Sequence, residues 1–229
     1  MKTRKVLFEW ESNFPLICGH TSISFLTQLS NFRKAKYGNL SAARAIVNKC
    51  IKRQRLANLK ACYPNAELLP VMTDNKLPIA LAQAIGLKIC MNIYKIESYQ
   101  RKYMSAMERL LHQPSFVGRV EHNKNYIIVD DIVTQGGTVS ALRKHVLAGG
   151  GNVVAVTALA CACGSEMLPP KNENIYLLRN KFGYEISDIL KTYLISKNLR
   201  ELTNQQVMYL LRFNEIDSLR KKIFDTLSR

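Results

Sequence analysis

The chain has 229 residues, long enough for one substantial domain with elaborations, and it contains no apolar run of the roughly eighteen residues a membrane span needs. The basic start Met1-Lys2-Thr3-Arg4-Lys5 leads into an apolar stretch that is short and broken by Glu9 and Glu11, which argues against a signal peptide. Lysine and arginine number 33 against 17 aspartates and glutamates, and the resulting charge of +16 attracts polyanions in a salt-dependent way.

In chain order, Lys5 to Trp10 reads as a short strand, and Ser22 to Lys36 and Ser41 to Cys62 read as helices. In the second helix Ala43, Ile46, Val47, Cys50 and Ala57 share one face, with Ser41 as its N-cap. Between Arg33 and Lys60 stand Arg33, Lys34, Lys36, Arg44, Lys49, Lys52, Arg53, Arg55 and Lys60, with no acidic residue among them. This stretch is a basic helical cap over residues 1–64, and it either meets nucleic acid or another anionic partner or is simply a basic surface.

A core over residues 65–190 follows. Glu67 to Met72 reads as a buried strand, Thr73-Asp74-Asn75-Lys76 as a polar loop, and Leu77 to Ile85 as a helix with Pro78 tolerated in its first turn. Asp74 or Asn75 is a candidate cap for that helix. Lys88 to Tyr94 reads as the next strand and Phe116 to Glu121 as an edge strand. Between them Glu97 to Gln113 is polar and basic, with Gln100, Arg101 and Lys102 clustered.

The most informative stretch is Tyr126 to Thr138. An apolar strand ends in Asp130-Asp131, which places two hydrogen-bond acceptors at a strand's carboxyl end, where open α/β sheets bind ligands. The loop Thr134-Gln135-Gly136-Gly137-Thr138 then opens a helix from Val139 to Ala148. Its glycines let successive N–H groups turn inward around an anion, at the positive end of the helix dipole. A dianion cradle beside two carboxylates suits a sugar phosphate. Taken alone, the Asp-Asp pair reads as an acidic turn; the strand before it and the helix after it favour the site.

Gly149-Gly150-Gly151 ends that helix, and a strand from Asn152 to Ala160 completes a βαβ unit, so the sheet is expected to be mostly parallel and the fold Rossmann-like α/β. No Walker loop or Gly-x-Gly-x-x-Gly occurs. After Pro169-Pro170, Asn174 to Leu178 reads as a short strand. Residues 191–229 form a helical extension with helices over Thr203 to Arg212 and Ile216 to Leu227. Thr203 and Gln206 make a capping box there, and Val207, Leu210 and Leu211 a packing stripe. The six cysteines include no Cys-x-x-Cys pair and are expected to be free thiols of a cytoplasmic protein; the four histidines show no metal spacing.

The stretch from Tyr126 to Thr138 resembles the signature of the type I phosphoribosyltransferases, an apolar strand, two acidic residues and a Thr-x-Gly-x-Thr type loop. The resemblance implies that Asp130 and Asp131 hold the ribose 2′- and 3′-hydroxyls of phosphoribosyl diphosphate (PRPP), while Thr134, Gln135, Gly136, Gly137 and Thr138 wrap its 5′-phosphate. Gln135 stands where many members carry Thr. It further implies that Thr73, Asp74, Asn75 and Lys76 bind the diphosphate, and that Arg101 or Lys102 reaches the site from a mobile loop, although both could equally be solvated. Mg²⁺ would be held mainly through PRPP, without dedicated protein ligands. The acceptor is not indicated, and a homodimer is among the arrangements the resemblance admits.

Leu77-Pro78 with Ala80, Ala82 and Gly86, the segment Gln135 to Thr138, and Leu202-Thr203 before Tyr209-Leu210-Leu211 resemble a branch of these enzymes on mobile elements and beside retron reverse transcriptases. That branch implies an antiphage-defence effector, a toxin controlled by the reverse transcriptase and its msDNA, met through the basic cap. A non-catalytic regulator sensing PRPP or a nucleotide, or a nucleic-acid-binding module on the same fold, is the alternative.

Overall fold

The computed structural model describes residues 8–96, 104–162, 164–193 and 195–228. Four parallel strands form the central sheet in the order β1 (Cys18–Thr21), β6 (Asn152–Cys161), β5 (Asn125–Val133), β2 (Glu67–Pro70). Ile89 extends it by one parallel bridge to Leu68. Parallel strands need long crossovers, and helices supply them on both faces. The fold is therefore α/β, a parallel sheet flanked by helices.

On one face pack α3 (Leu40–Cys50), α4 (Arg53–Cys62) and α5 (Leu77–Ile85), whose apolar residues share a core with Leu68, Ile127, Val129 and Leu159 of the strands. α7 (Gly137–Ala148) covers the other face, packing Val139, Leu142 and Val146 against Tyr126, Ile128 and Val156. Buried Arg143 of α7 donates to the carbonyls of Phe8 and Glu9 at 3.0 and 2.9 Å and stacks 4.4 Å from the Trp10 ring centroid, strapping the N-terminal segment over this helix. A third core joins α6 (Ala106–Leu111) to α8 (Asn172–Phe182), α9 (Glu185–Thr192), α10 (Asn204–Leu210) and α11 (Ile216–Leu227).

Several sequence expectations are corrected. The segment 22–36 is two short helices, α1 (Ile23–Gln28) and α2 (Phe32–Lys36), because Leu29 is extended and Ser30-Asn31 compete with the backbone for hydrogen bonds. Likewise Ile51 is extended between α3 and α4, so the second long helix breaks in two. That break resets the helical phase. Ala57 is exposed, and Leu56 and Leu59 are buried instead. Asn39, not Ser41, caps α3 by accepting from the Ala42 N–H at 2.8 Å.

Beyond its bridge at Ile89 the chain from Lys88 leaves the sheet, and β3 (Ile93–Ile96) pairs antiparallel with β4 (Ser115–Gly118) as a separate ribbon. The expected strand at Asn174 to Leu178 lies inside α8, where Ile175, Leu178 and Phe182 bury at helical spacing. Phe8 to Trp10 is irregular.

Other elements fall where the sequence places them. α5 starts at Leu77 with Pro78 in its first turn and ends on left-handed Gly86, and α10 opens on the Thr203–Gln206 capping box. At the amino ends of the strands buried Glu67 is bonded by Lys88 at 2.5 Å and Lys124 at 2.8 Å. Desolvation pushes its pKa up, but these two lysines outweigh it and hold the carboxyl below its ordinary range.

Candidate functional site

β5 carries the apolar run Tyr126 to Val129 through the sheet and continues to Val133, so Asp130 and Asp131 lie within the strand rather than after it. Strand alternation puts Asp131 on the face of Ile127 and Val129 and Asp130 on the face of Tyr126 and Ile128. Both carboxyls are buried, 7% and 5% exposed. The Asp130 Oδ1 accepts from the Asp131 N–H at 2.8 Å, and the Asp131 Oδ2 receives the Lys36 ammonium at 2.6 Å. Burial first, and then the neighbouring Asp131 charge, push the Asp130 carboxyl well above the ordinary carboxylate range. A carboxyl so raised can donate a hydrogen bond as well as accept one.

The loop after β5 is tightly packed and held by its carbonyls. Gly136 has φ 75°, in the left-handed region, and a Cβ there would stand 2.9 Å from Leu168 Cδ2 and 3.0 Å from Thr203 Cγ2. A Cβ on Gly137 would stand 3.0 Å from Gln113 Oε1. The Thr134 carbonyl is held by the Ser165 hydroxyl and the Gln135 carbonyl by the Thr203 hydroxyl. Both carbonyls are thus held by buried side chains, while the N–H groups of Gln135, Gly136, Gly137 and Thr138 have no partner among the described residues. Four free donors at the start of a twelve-residue helix form a nest of the kind that suits an anion.

The loop before α5 is in the opposite condition. The Asn75 N–H goes to Thr73 Oγ1 at 3.1 Å, the Leu77 N–H to Asn75 Oδ1 at 3.1 Å, and the Lys76 N–H to the Ala35 carbonyl at 3.0 Å. β2 and β5 are neighbours, so Thr73, Asp74, Asn75 and Lys76 follow the strand beside the motif. Arg101 and Lys102 lie outside the described residues.

A cleft of about 410 Å³ opens at the carboxyl ends of β1 and β6, lined by His20, Ser22, Lys52, Arg55, Cys161 and Glu166 among others. Cys161 pairs with Val133, so the cleft lies one strand away from the acidic pair. The His20 ring receives the Lys52 N–H on Nδ1 at 3.4 Å and lies 3.3 Å from Thr157 Oγ1 through Nε2. Burial, then the Arg55 and Lys52 charges, lower its pKa to about 4. Burial pushes the Cys161 thiol up to about 12, with Glu166 and Asp130 adding to it.

Sequence reasoning missed four participants: Lys36, Ser165, Thr203 in its second role on Gln135, and the cations of the cleft. Lys36 and the cleft lysine and arginine carried a signal, since all three belong to the basic run of the cap. Nothing local to Ser165 marks it. Among the described residues no three His, Cys, Asp or Glu side chains gather as a metal site, and no helix is long and apolar enough to cross a membrane.

No family model matches the chain. It is 27% identical over 222 residues to the Protein TraN of Escherichia coli, covering 92% of this chain and 49% of that protein. It is also 27% identical over 150 residues to an uncharacterized protein of Haemophilus influenzae, covering 61% and 34%. The chain thus spans about half the length of the first relative and a third of the second. Among solved structures it is similar to the adenine phosphoribosyltransferase of Saccharomyces cerevisiae, at TM-score 0.36 and 15% identity over 56% of this chain and 73% of that one. A hypoxanthine phosphoribosyltransferase of Staphylococcus aureus matches at TM-score 0.37 and 14% identity, over 58% and 73%.

Proposed function

We propose that the chain is a phosphoribosyltransferase that takes PRPP with Mg²⁺ and passes the phosphoribosyl group to an acceptor, releasing diphosphate. The observation that carries this reading is the nest of four free N–H groups at Gln135 to Thr138, immediately after two buried carboxyls. The nest and the Thr134 and Thr138 hydroxyls bind the 5′-phosphate. Asp130 and Asp131 hold the ribose hydroxyls, Asp130 in either protonation state because its raised pKa lets it donate or accept. Loop 73–76, with the Lys76 side chain, faces the diphosphate.

The bond from C1 of the ribose to diphosphate breaks with its electron pair leaving on oxygen. A lone pair of the acceptor takes its place, and the acceptor's proton passes to solvent. Carboxylates beside the ribose favour the positive charge that develops in the ring. The donor set at the site is all oxygen, carboxyl and hydroxyl, which suits a hard cation bound largely through substrate oxygens. Mg²⁺ supplies charge neutralisation of the departing diphosphate.

The cleft beside Cys161 is the place for the acceptor, and Lys52 and Arg55 favour one that carries negative charge. A defence role under a reverse transcriptase and its msDNA would use the same site, with the basic face of α2 to α4 meeting the nucleic acid. One observation favours the regulator instead: loop 73–76 is closed on its own side chains and on Ala35. Diphosphate release from PRPP and Mg²⁺, measured for the native chain and for Asp130→Asn with Asp131→Asn across a panel of nucleobases, nucleotides and oligonucleotides, separates the two. Release lost in the double variant supports the transferase. PRPP binding with no release under any acceptor supports the regulator.

A further inference from the structure

Resting on the phosphoribosyl reading above, we infer that Lys36 is a binding residue for the diphosphate of PRPP, and that the ligand-free protein parks its ammonium on the ribose carboxylate Asp131. Lys36 is the last residue of α2, 95 positions from the motif, and its Nζ lies 2.6 Å from Asp131 Oδ2. The carboxylate side chain is 7% exposed but the lysine side chain 37%, so the cation reaches in from the mouth of the site. The carbonyl of Ala35 accepts the Lys76 N–H at 3.0 Å, which stitches the end of α2 to the loop before α5. Lys36 therefore stays beside loop 73–76 whichever anion its side chain meets.

Two features of the resting state require an exchange. When a ribose hydroxyl takes Asp131, the ion pair opens and a half-buried ammonium needs a new anion. Meanwhile the N–H groups of Asn75, Lys76 and Leu77 are already committed, so the loop has few backbone donors for a polyanion. In PRPP the diphosphate is attached to the carbon next to the one bearing the 2′-hydroxyl, so the group that displaces Lys36 from Asp131 also brings an anion within its swing. No acidic residue between Arg33 and Lys60 competes for the cation locally. The same lysine thus balances the Asp131 charge and favours a ligand that carries diphosphate, most of all one whose hydroxyls also take Asp131.

The test uses the full chain, Lys36→Ala and Lys36→Arg, with calorimetric affinities for ribose 5-phosphate, inorganic diphosphate and PRPP in Mg²⁺. Lys36→Ala should weaken PRPP and diphosphate about 10- to 100-fold, as expected for one charge-assisted contact. It should leave ribose 5-phosphate unchanged or a few-fold tighter, because Asp131 is released. Lys36→Arg should restore most of the PRPP affinity. Unchanged PRPP affinity in Lys36→Ala overturns the inference. So does equal tightening of all three ligands, the mark of a purely inhibitory latch, or equal weakening together with a lower melting temperature, the mark of a structural role. A native chain that binds none of the three ligands sinks the phosphoribosyl reading itself, a result distinct from a native chain that binds them while Lys36→Ala binds them as well.

Discussion

Replacing Gly136 by Ala tests the phosphate loop from two sides, because the glycine is needed both for its backbone angle and for its lack of a side chain. At φ 75° an alanine costs about 1–2 kcal/mol. The added Cβ also meets Leu168 at 2.9 Å and Thr203 at 3.0 Å, and both are buried, so neither yields cheaply. Overpacking of this kind adds about 1–3 kcal/mol. Gly86 supplies the control. Its φ of 74° matches, but a Cβ there meets only the flexible Lys60 ammonium at 3.7 Å. Gly86→Ala should therefore show the angular cost alone, and Gly136→Ala about 1–3 kcal/mol more in urea unfolding. Pushing Thr203 away also loosens its grip on the Gln135 carbonyl, so phosphate and PRPP affinity should fall in Gly136→Ala and hold in Gly86→Ala. Equal stabilities and equal affinities for the two variants would refute the packed-nest geometry.

His20, lowered to about 4 in the fold against its ordinary 6.5, binds fewer protons folded than unfolded between those values. Stability should thus be full above about pH 6.5 and fall as the pH drops toward 4, by at most about 3 kcal/mol, and His20→Gln should flatten that slope in unfolding curves taken across the window. Thr203→Val removes the cap of α10 and the hydroxyl that holds Gln135, and should cost about 1 kcal/mol in stability together with a loss of PRPP affinity; calorimetry showing intact affinity would confine Thr203 to capping. With its thiol pushed up to about 12, Cys161 should react far more slowly with iodoacetamide at pH 8 than exposed Cys62, which peptide mass spectrometry reads directly.

What the sequence made legible is local. β5, α7 and β6 follow one another with a turn of glycines between, α5 carries its own start in Pro78 and stop in Gly86, and α10 carries a capping box, so each is specified within a window of a few residues. β1 could not be read that way. Cys18-Gly19-His20-Thr21 has no strand pattern and becomes one because the edge of β6 is open to it and Thr157 Oγ1 holds the Cys18 carbonyl. α8 was hidden by its own apolar run, since Ile175 to Leu178 seen alone fits either period. In the site, the nest was readable from Thr134 to Thr138, but the contacts that shape it are not. Lys36 on Asp131, Thr203 on Gln135 and Ser165 on Thr134 join residues 31 to 95 positions apart, and no local pattern encodes such pairs.

The most direct test of the central claim is the response of the backbone amides of Gln135, Gly136, Gly137 and Thr138 to PRPP with Mg²⁺, followed by NMR on the isotopically labelled chain. The account predicts that these four resonances shift most and saturate together, with ribose 5-phosphate reproducing their shifts. Saturable PRPP binding that moves other amides and leaves these four in place would contradict it.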